Sequence, residues 1–297
     1  MSDSLTKKRP WFSAARVWAI SGNTLTELVR LKVFYFLLLF ALVIIGSSLF
    51  MIQFTFQQEF QVLKDASLGA MSIFTSLLAI LATANLLPKD IEDRTLYTIL
   101  AKPVPRFEYL LGKICGVFLL LLISVVCMSV VFVIVLWLRQ SSVLADVQRE
   151  FAASPEDLAI KIREVKAAGL TASIFQGVGL IYIKACLLAS LTLLVSTFAT
   201  SAIFTTIVSV VIYFIGHLQS TAREYWLAGE NISWLTRIFT ALLALAFPDL
   251  QLFNLVDDIV AGNPVAMILF LKTCGLGCLY ILFYILAAQF VFVKKEL

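Results

Sequence analysis

The residues best suited to specific polar contacts lie in one charged segment, 88–113, between two long apolar runs. Charges of both signs alternate densely along it, and Pro103 and Pro105 interrupt its second half. Apolar residues ahead of the prolines recur at helical spacing, which predicts a short amphipathic helix. Such a helix is suited to charge-assisted docking of a soluble partner. The alternative is an ordinary hydrated loop.

Residues for catalysis or metal binding are not expected in this chain. The single histidine, His217, finds no nucleophile and acid with which to form a catalytic arrangement. The five cysteines lie in or beside apolar runs and form no Cys-x-x-Cys pair, so neither a disulfide framework nor a metal site is expected. Gly112 and Lys113 are followed by Ile114, so a phosphate-binding loop is not formed. We therefore expect a non-enzymatic chain without a cofactor of its own.

The composition indicates a membrane protein. Of the 297 residues, 61% are apolar and 14% are charged, and the mean hydropathy is +0.96. Soluble domains carry about 25% charged residues, whereas lipid tails solvate apolar side chains. The net charge of +4 comes mainly from Lys and Arg beside the apolar runs, so a nucleic-acid partner is not expected.

The elements that must position the charged segment are membrane-spanning helices. Each span needs about 20 apolar residues, and continuously apolar runs exclude the alternating pattern of barrel strands. The predicted fold is an all-α integral membrane protein, with a cytoplasmic segment at 1–32 and a six-helix transmembrane domain at 33–297. The six predicted spans are 33–53, 68–87, 114–138, 177–197, 202–219 and 265–293.

Three shorter segments have helical patterns outside the spans. Residues 10–30 predict an amphipathic interfacial helix that leads into the first span. Residues 232–247 are apolar but too short to cross a membrane comfortably, which favours a re-entrant or interfacial helix before the last span. The sequence Ser154-Pro155-Glu156-Asp157 is typical of a helix start, because it places a capping residue, a proline and acids in the first turn.

The distribution of Lys and Arg predicts that both termini are cytoplasmic. With six spans in this orientation, thirteen basic residues fall on the cytoplasmic side and eight on the outer side, where the loops are longer. This follows the excess of positive charge on cytoplasmic loops. We therefore expect a multi-pass protein of the cell (inner) membrane. No cleavable signal peptide is expected, since the first apolar run is too long for one.

Few charged residues fall within the predicted spans. Lys184 and Lys272 lie toward the outer halves of their spans, where they can extend to the headgroups or line a polar path. An unpaired Lys at the centre of the bilayer costs about 2.5–3.5 kcal/mol on insertion scales. No Asp or Glu falls within a span, which counts against ion-coupled transport, since that mechanism usually needs a buried carboxylate.

The charged segment contains a spaced pattern of acid, threonine, proline, arginine and Gly-Lys, formed by Glu92, Thr95, Pro103, Arg106, Gly112 and Lys113. This pattern resembles that of the type 2 permeases of ATP-binding cassette (ABC) exporters. The subgroup that it resembles most is the one associated with multi-copper enzyme maturation, like the permease for maturation of nitrous oxide reductase. Three further stretches agree: Thr24–Glu27 with Arg30, Pro248–Asn254 and Phe292–Leu297. One departure is Arg94, where many members have Gly.

The resemblance implies a permease subunit with six spans that dimerises, either with a second copy or with a sister permease. It also implies a separate ABC ATPase subunit, which binds ATP and docks on the segment between spans two and three. ATP hydrolysis would drive substrate export or mechanical work across the membrane. The alternatives are a membrane scaffold that anchors a soluble partner and, with less support, an ion-coupled carrier. The expected ATPase-coupling residues are Asp90, Glu92, Asp93, Arg94, Thr95, Pro103, Arg106, Gly112 and Lys113.

Overall fold

The computed structural model describes most of the chain, with gaps at both ends and in several connections. Within it, side chains are not described for 56–58, 91–92, 221–227 and 256–257. The predicted short helix at 232–247 therefore lies largely outside the described residues. The described ranges are 12–47, 56–92, 105–151, 155–199, 201–227, 234–235, 238, 247–254, 256–260 and 265–294.

The fold is helical throughout the described ranges. A one-turn 3₁₀ helix, Leu250–Phe253, lies between α8 and α9. The α-helices, in chain order, are α1 (Ala14–Val29), α2 (Lys32–Ser47), α3 (Phe56–Ala84), α4 (Leu86–Glu92), α5 (Arg106–Glu150), α6 (Pro155–Ala168), α7 (Ala172–Phe198), α8 (Ala202–Leu227), α9 (Val256–Val260) and α10 (Met267–Lys294).

Five helical stretches in the described residues are long and apolar enough to cross a membrane. The count rises to six if α1 and α2, which meet at a bend of 68°, are taken as one span. The expectation of a multi-pass α-helical membrane protein is thus supported by helix length and composition. The other five stretches are Glu59–Asp90, Arg106–Glu150, Pro155–Phe198, Ala202–Ser220 and Met267–Lys294.

Helix α1 packs against the beginning of α5 at two glycines. A Cβ added at Gly112 would lie 2.7 Å from the Ile20 Cβ, and one added at Gly116 would lie 2.7 Å from the Thr24 Cβ. Glycines four residues apart lie on one face of a helix and allow close backbone approach. The face of α1 toward α5 is buried, and Trp18 on another face is 68% exposed.

Helix α5 is longer than the apolar run that predicts it. Its 45 residues give a length of roughly 67 Å at 1.5 Å per residue, about twice the thickness of a hydrocarbon core. Near its far end, Arg139 Nη2 lies 2.7 Å from Glu59 Oε2, which joins α5 to the start of α3. Helix α6 then returns along α5, and Val165 packs in a cluster with Val143 and Val147.

Helix α7 is the centre of the bundle, because its side chains are buried around most of its circumference. It packs extensively against α3 on one side and α10 on another. The 3₁₀ helix Leu250–Phe253 packs beside α7. A Cβ at Gly216 of α8 would lie 2.8 Å from the Leu250 Cγ, and one at Gly277 of α10 would lie 2.9 Å from the Phe253 Cε1. The segment after Pro248 thus enters the helix bundle.

Candidate functional site

Four of the predicted coupling residues are described with their side chains, and they lie at one end of the bundle. They are Asp90 on α4 and Arg106, Gly112 and Lys113 on α5. The backbone of Glu92 forms the end of α4. The remaining predicted residues, Asp93, Arg94, Thr95 and Pro103, lie outside the described residues.

An ion-pair network connects α4, α5 and α1. Lys113 Nζ lies 2.7 Å from Asp90 Oδ2 and 3.7 Å from Glu27 Oε2, while Lys89 Nζ lies 2.8 Å from Glu27 Oε1. The Tyr109 hydroxyl donates a hydrogen bond to Asp90, and the Lys113 ammonium stands 5.8 Å from the centroid of the Tyr109 ring. Asp90 and Lys113 are buried, at 7% and 4% exposed. We define these five residues as the α1–α4–α5 network.

The electrostatics of the network favour an ionised Glu27. Partial burial alone would raise the pKa of this carboxyl group, but the hydrogen bond and positive charge of Lys89 and the charge of Lys113 outweigh burial. The pKa of Glu27 is therefore lower than its ordinary value of 4.5. Because two cations share this carboxylate, its charge holds α1 toward both α4 and α5.

A second ion pair fixes the other end of α1 on α5. Arg16 Nε lies 2.7 Å from Glu108 Oε2, and Arg16 Nη2 donates to Glu108 Oε1 at 2.9 Å. The backbone N–H of Ser13 donates to the same Oε1 at 2.7 Å. Glu108 is fully buried, so its negative charge depends on these donors.

Arg106 binds the end of the last helix. Its Nη1 donates to the carbonyl oxygen of Val293 at 2.9 Å, where the final turn of α10 leaves its carbonyl groups without helical partners. A cation there also interacts favourably with the helix dipole. One turn along α5, the Tyr109 ring stacks on Phe292 with centroids 6.3 Å apart. Arg106 thus connects the segment 88–113 to α10.

Among the predicted site residues that the structure describes, Asp90 and Lys113 are brought into contact, and both are buried. Their charges are satisfied within the chain and are not displayed on the surface. The sequence did not single out Glu108, Tyr109, Arg16 or Lys89, since a pair such as Arg16 and Glu108 is separated by 92 residues. The Thr24–Glu27 stretch noted in the resemblance was the one signal that pointed to Glu27.

An open polar groove lies beside the α1–α4–α5 network. It has a volume of about 410 Å³, and it lies between the C-terminal part of α1 and α4. Arg30 and Lys89 are exposed on this surface, where Lys89 also pairs with Glu27. The groove is lined by Asn23, Thr26, Glu27, Arg30, Leu31 and Lys89.

A separate polar region lies in the bundle interior. Lys184 of α7 is 2% exposed, and its Nζ donates to Ser72 Oγ of α3 at 2.5 Å. The prediction that Lys184 extends to the outer headgroups is wrong, because its side chain points between helices and not toward lipid. Lys272 is exposed on α10.

A carboxylate also reaches the interior, although none was predicted within a span. Asp249 is 6% exposed, and its Oδ1 accepts the backbone N–H of Gln251 at 3.1 Å, which caps the 3₁₀ turn. It interacts electrostatically with His217 of α8, as does Lys184. Asp249 lies in a connection outside the predicted spans, so the absence of Asp and Glu from those spans still holds, but hydropathy does not show that this connection is buried in the bundle.

No protein-family model matches the chain, and no match is found among curated proteins.

Proposed function

We propose that this chain is the membrane permease subunit of a type 2 ABC exporter, and that it couples ATP hydrolysis by a separate ATPase subunit to export or mechanical work. The observation that carries the proposal is the buried network at the two ends of the segment 88–113. Asp90 precedes the segment's central part and Lys113 ends it, and the two lie 2.7 Å apart. A partner bound beside this pair would therefore act on α4 and α5, and so on two spans at once.

Mechanical coupling requires that the helices on either side of the segment 88–113 are rigid, so that movement of the segment reaches the membrane-spanning helices. Here α4 follows directly on α3, with Asn85 between them, and α5 continues from Arg106 into the membrane without a break. The ion pairs of Lys113 and Arg16 join both helices to α1. Movement of packed helices past one another is a known mode of switching, and such a network allows the three helices to move together.

The groove beside the network is the docking surface that we propose for the ATPase. Its exposed cations, Arg30 and Lys89, favour an acidic surface on the partner. Docking next to the buried pairs would place the partner's force close to α1, α4 and α5. The absence of a phosphate-binding loop in the sequence is consistent with ATP being bound by that partner.

Two further parts of the proposal rest on the sequence alone. The excess of Lys and Arg on one side supports cytoplasmic termini in the cell membrane. Six helices enclose a pathway poorly, which supports pairing with a second copy or with a sister permease.

The test is co-purification with an ABC ATPase whose gene adjoins the gene for this chain. Lys89→Glu and Arg30→Glu reverse the exposed charge of the groove, and each should reduce recovery of the ATPase at least about tenfold, the effect of about 1.4 kcal/mol. Lys161→Glu on α6 is the matched control, since Lys161 is also exposed and pairs only with nearby Glu164 among the described residues. Equal recovery with all three variants would contradict docking at the groove.

A scaffold would use the same surface, so binding alone does not separate the two functions. A permease should change the rate of ATP hydrolysis by its bound ATPase, whereas an anchor should leave that rate unchanged. The decisive measurement compares ATPase activity of the complex in lipid nanodiscs with activity of the isolated ATPase.

An ion-coupled carrier is the second candidate, and buried Asp249 is the observation that favours it. Carriers use buried carboxylates to bind protons or sodium ions. A carrier is driven by an ion gradient, whereas the proposed permease is driven by ATP hydrolysis. If the chain is a carrier, Asp249→Asn should reproduce the phenotype of deleting its gene, while deletion of the ATPase gene should not. If it is a permease, the two deletions should give the same phenotype.

A further inference from the structure

Four hydroxyl groups at the contact of α3, α7 and α8 have no hydrogen-bond partner in the part of the chain that the structure describes. Burying a hydroxyl group without a partner is unfavourable, because the group gives up its hydrogen bonds to water. Buried polar groups are therefore normally paired, either with protein or with ordered water. Each of the four residues is at most 1% exposed. We define them as the hydroxyl cluster: Thr83 of α3, Thr192 and Ser196 of α7, and Ser209 of α8.

Other buried hydroxyl groups in the same helices are paired with their own backbone. The Ser76 hydroxyl donates to the carbonyl oxygen of Ser72 at 2.7 Å, and the Thr205 hydroxyl donates to that of Ser201 at 3.0 Å. This bond to the carbonyl group one turn earlier can be formed by Ser and Thr in any helix. The hydroxyl groups of the cluster do not form it, so they depend on partners outside their own helical turns.

Thr192 and Ser209 lie at similar depth on neighbouring helices. Helices α7 and α8 form a hairpin, with only residues 199–201 between them. Position 200 lies in this connection, eight residues after Thr192 and nine residues before Ser209. Because the rise per residue is the same in both helices, the two buried side chains lie at nearly the same level. Ser196 is one turn from Thr192 on the same face of α7.

Thr83 reaches the same level from α3. The contact between Ser72 and Lys184 aligns α3 with α7 at these residues. Residues near the start of both helices pack in one hydrophobic cluster and residues near their ends pack in another, so the helices run in the same direction. Thr83 is eleven residues beyond Ser72, and Ser196 is twelve residues beyond Lys184. Three helices therefore place hydroxyl groups of the cluster at one depth.

The surroundings of the hydroxyl cluster favour a neutral partner. No charged residue occurs at this level in the sequence ranges 78–87, 188–198 and 202–212. An ion bound there would lack a counter-charge in a low-dielectric region. A hydroxyl group both donates and accepts hydrogen bonds, which suits a neutral molecule that does the same. Buried water has this chemistry, and it typically makes about three hydrogen bonds to polar groups that are otherwise unsatisfied.

We propose that the hydroxyl cluster is a binding site for ordered water, which joins α8 to α3 and α7 through bridging hydrogen bonds. Water-mediated bonds are nearly as favourable in enthalpy as direct ones. They are important for α8, because much of its surface is turned away from the bundle, as at Ile203, which is 72% exposed. The site requires no ATPase and goes beyond the proposed function.

The first experiment compares two replacements of Thr192 in the purified chain in lipid nanodiscs. Thr192→Val keeps the shape of the side chain and removes the hydroxyl group, whereas Thr192→Ser keeps the hydroxyl group and removes a methyl group. We expect Thr192→Val to lower the midpoint of thermal unfolding by about 2 °C or more, and Thr192→Ser to lower it less. The opposite order would show that Thr192 serves packing alone and would overturn the proposal. Thr83→Val and Thr83→Ser repeat the comparison on α3 if a Thr192 variant does not fold.

The second experiment tests whether α7 and α8 share the same water. A shared water is lost only once, so Thr192→Val combined with Ser209→Ala should lower the midpoint by less than the sum of the two single effects. Ser124→Ala on α5 is the matched control, because the buried Ser124 hydroxyl donates to the Leu120 carbonyl oxygen at 2.8 Å within its own helix. Its effect should add to that of Thr192→Val. Additive effects of Thr192→Val and Ser209→Ala would contradict a shared water.

A direct bond between two hydroxyl groups would also couple the helices, so the water itself is detected by pulsed X-ray radiolysis. Hydroxyl radicals formed from bound water oxidise the side chains beside it. We expect oxidation within 188–198 in the original protein and its loss in the double variant, while buried Phe132 on α5 stays unmodified in both. Coupled stabilities without oxidation in 188–198 would show direct contact and overturn the water site. Because no ATPase is present, failure here leaves the co-purification test unaffected.

Discussion

Lys113 on α5 and Asp90 on α4 form a buried ion pair, with Nζ and Oδ2 2.7 Å apart. The pair joins the short helix α4 to the second turn of α5, on either side of the connection 93–105. Breaking a buried pair by removing one partner costs about 3–5 kcal/mol, because the other charge is left uncompensated. The contribution of this ion pair to the stability of the fold can be tested separately from docking of the ATPase.

Lys113→Ala should therefore lower the free energy of unfolding by about 3 kcal/mol or more, the lower end of the cost of breaking a buried pair. Asp90→Asn should have a smaller effect, since Lys113 retains Glu27. The measurement is thermal unfolding in detergent. Lys161→Ala on α6 serves as the surface control, with an expected change of about 0–1 kcal/mol. If Lys113→Ala lowers the free energy of unfolding no more than this control does, the ion pair does not contribute to the stability of the fold.

Gly116→Leu should separate α1 from α5. A Cβ at this position would meet Thr24 at 2.7 Å, and overpacking typically costs about 1–3 kcal/mol. Gly275→Leu on α10 is a matched glycine control, because a Cβ there meets no atom within 4 Å. The readout is cross-linking between single cysteines on α1 and α5. It should fall in Gly116→Leu and stay at the original level in Gly275→Leu.

Acid should weaken the α1–α4–α5 network through Glu27. A carboxyl group whose pKa is lowered in the folded state contributes stability above its unfolded pKa of about 4.5, and that contribution is lost as pH falls through the folded pKa. Glu27→Gln should thus be less stable than the original protein near neutral pH, and the difference in stability should shrink as pH falls below the ordinary carboxyl pKa of 4.5. A stability gap that is constant across this range would argue against ionised Glu27 as the cause.

Arg106→Ala should impair the stimulation of ATP hydrolysis by substrate more than it lowers the stability of the fold. Loss of a cation at a helix C-terminus costs about 0.3–1 kcal/mol, so the fold should survive. Coupling should weaken because the segment loses its hydrogen bond to the end of α10 and retains only the stacking of Tyr109 on Phe292. We expect the ATPase complex to hydrolyse ATP without stimulation by substrate, whereas Glu150→Ala on the far end of α5 should behave normally. Normal stimulation in Arg106→Ala would remove this residue from the coupling path.

The orientation can be tested by cysteine labelling in a background without native cysteines. Ser142→Cys lies on an exposed part of α5 beyond the predicted span, and Ser4→Cys marks the N-terminal segment. With a cytoplasmic N-terminus, an impermeant thiol reagent should label Ser142→Cys in intact cells, and should label Ser4→Cys only after permeabilisation. The reverse pattern would invert the predicted topology.

Hydropathy was sufficient for the helical membrane fold because long apolar helices have a local signature in sequence. Local chemistry also predicted the start of α6, and the structure confirms a helix from Pro155. Hydropathy does not encode where a helix continues beyond lipid, so the lengths of α3 and α5 exceed the apolar runs that identified them.

The site was predictable in location but not in arrangement. The charge density and the resemblance pointed to Asp90 and Lys113, but not to their burial. Arg16 and Glu108 meet only because the glycines of α5 admit α1, which is a tertiary consequence. Lys184 was misjudged because a Lys within an apolar run looks the same whether its helix faces lipid or other helices. Asp249 was missed because a connection that enters the bundle has no hydropathy signature.

The unbroken length of α5 has a geometric consequence for signalling between the two faces of the membrane. Its 45 residues form a rod of roughly 67 Å, so a tilt of about 5° displaces one end by about 6 Å relative to the other. A rotation of the same size about Lys113 displaces Arg149, roughly 54 Å further along the helix, by about 5 Å, close to the rise of one helical turn. If the function is the one proposed, a change in the ion pairs at one end of α5 would move the hairpin of α5 and α6 at its other end.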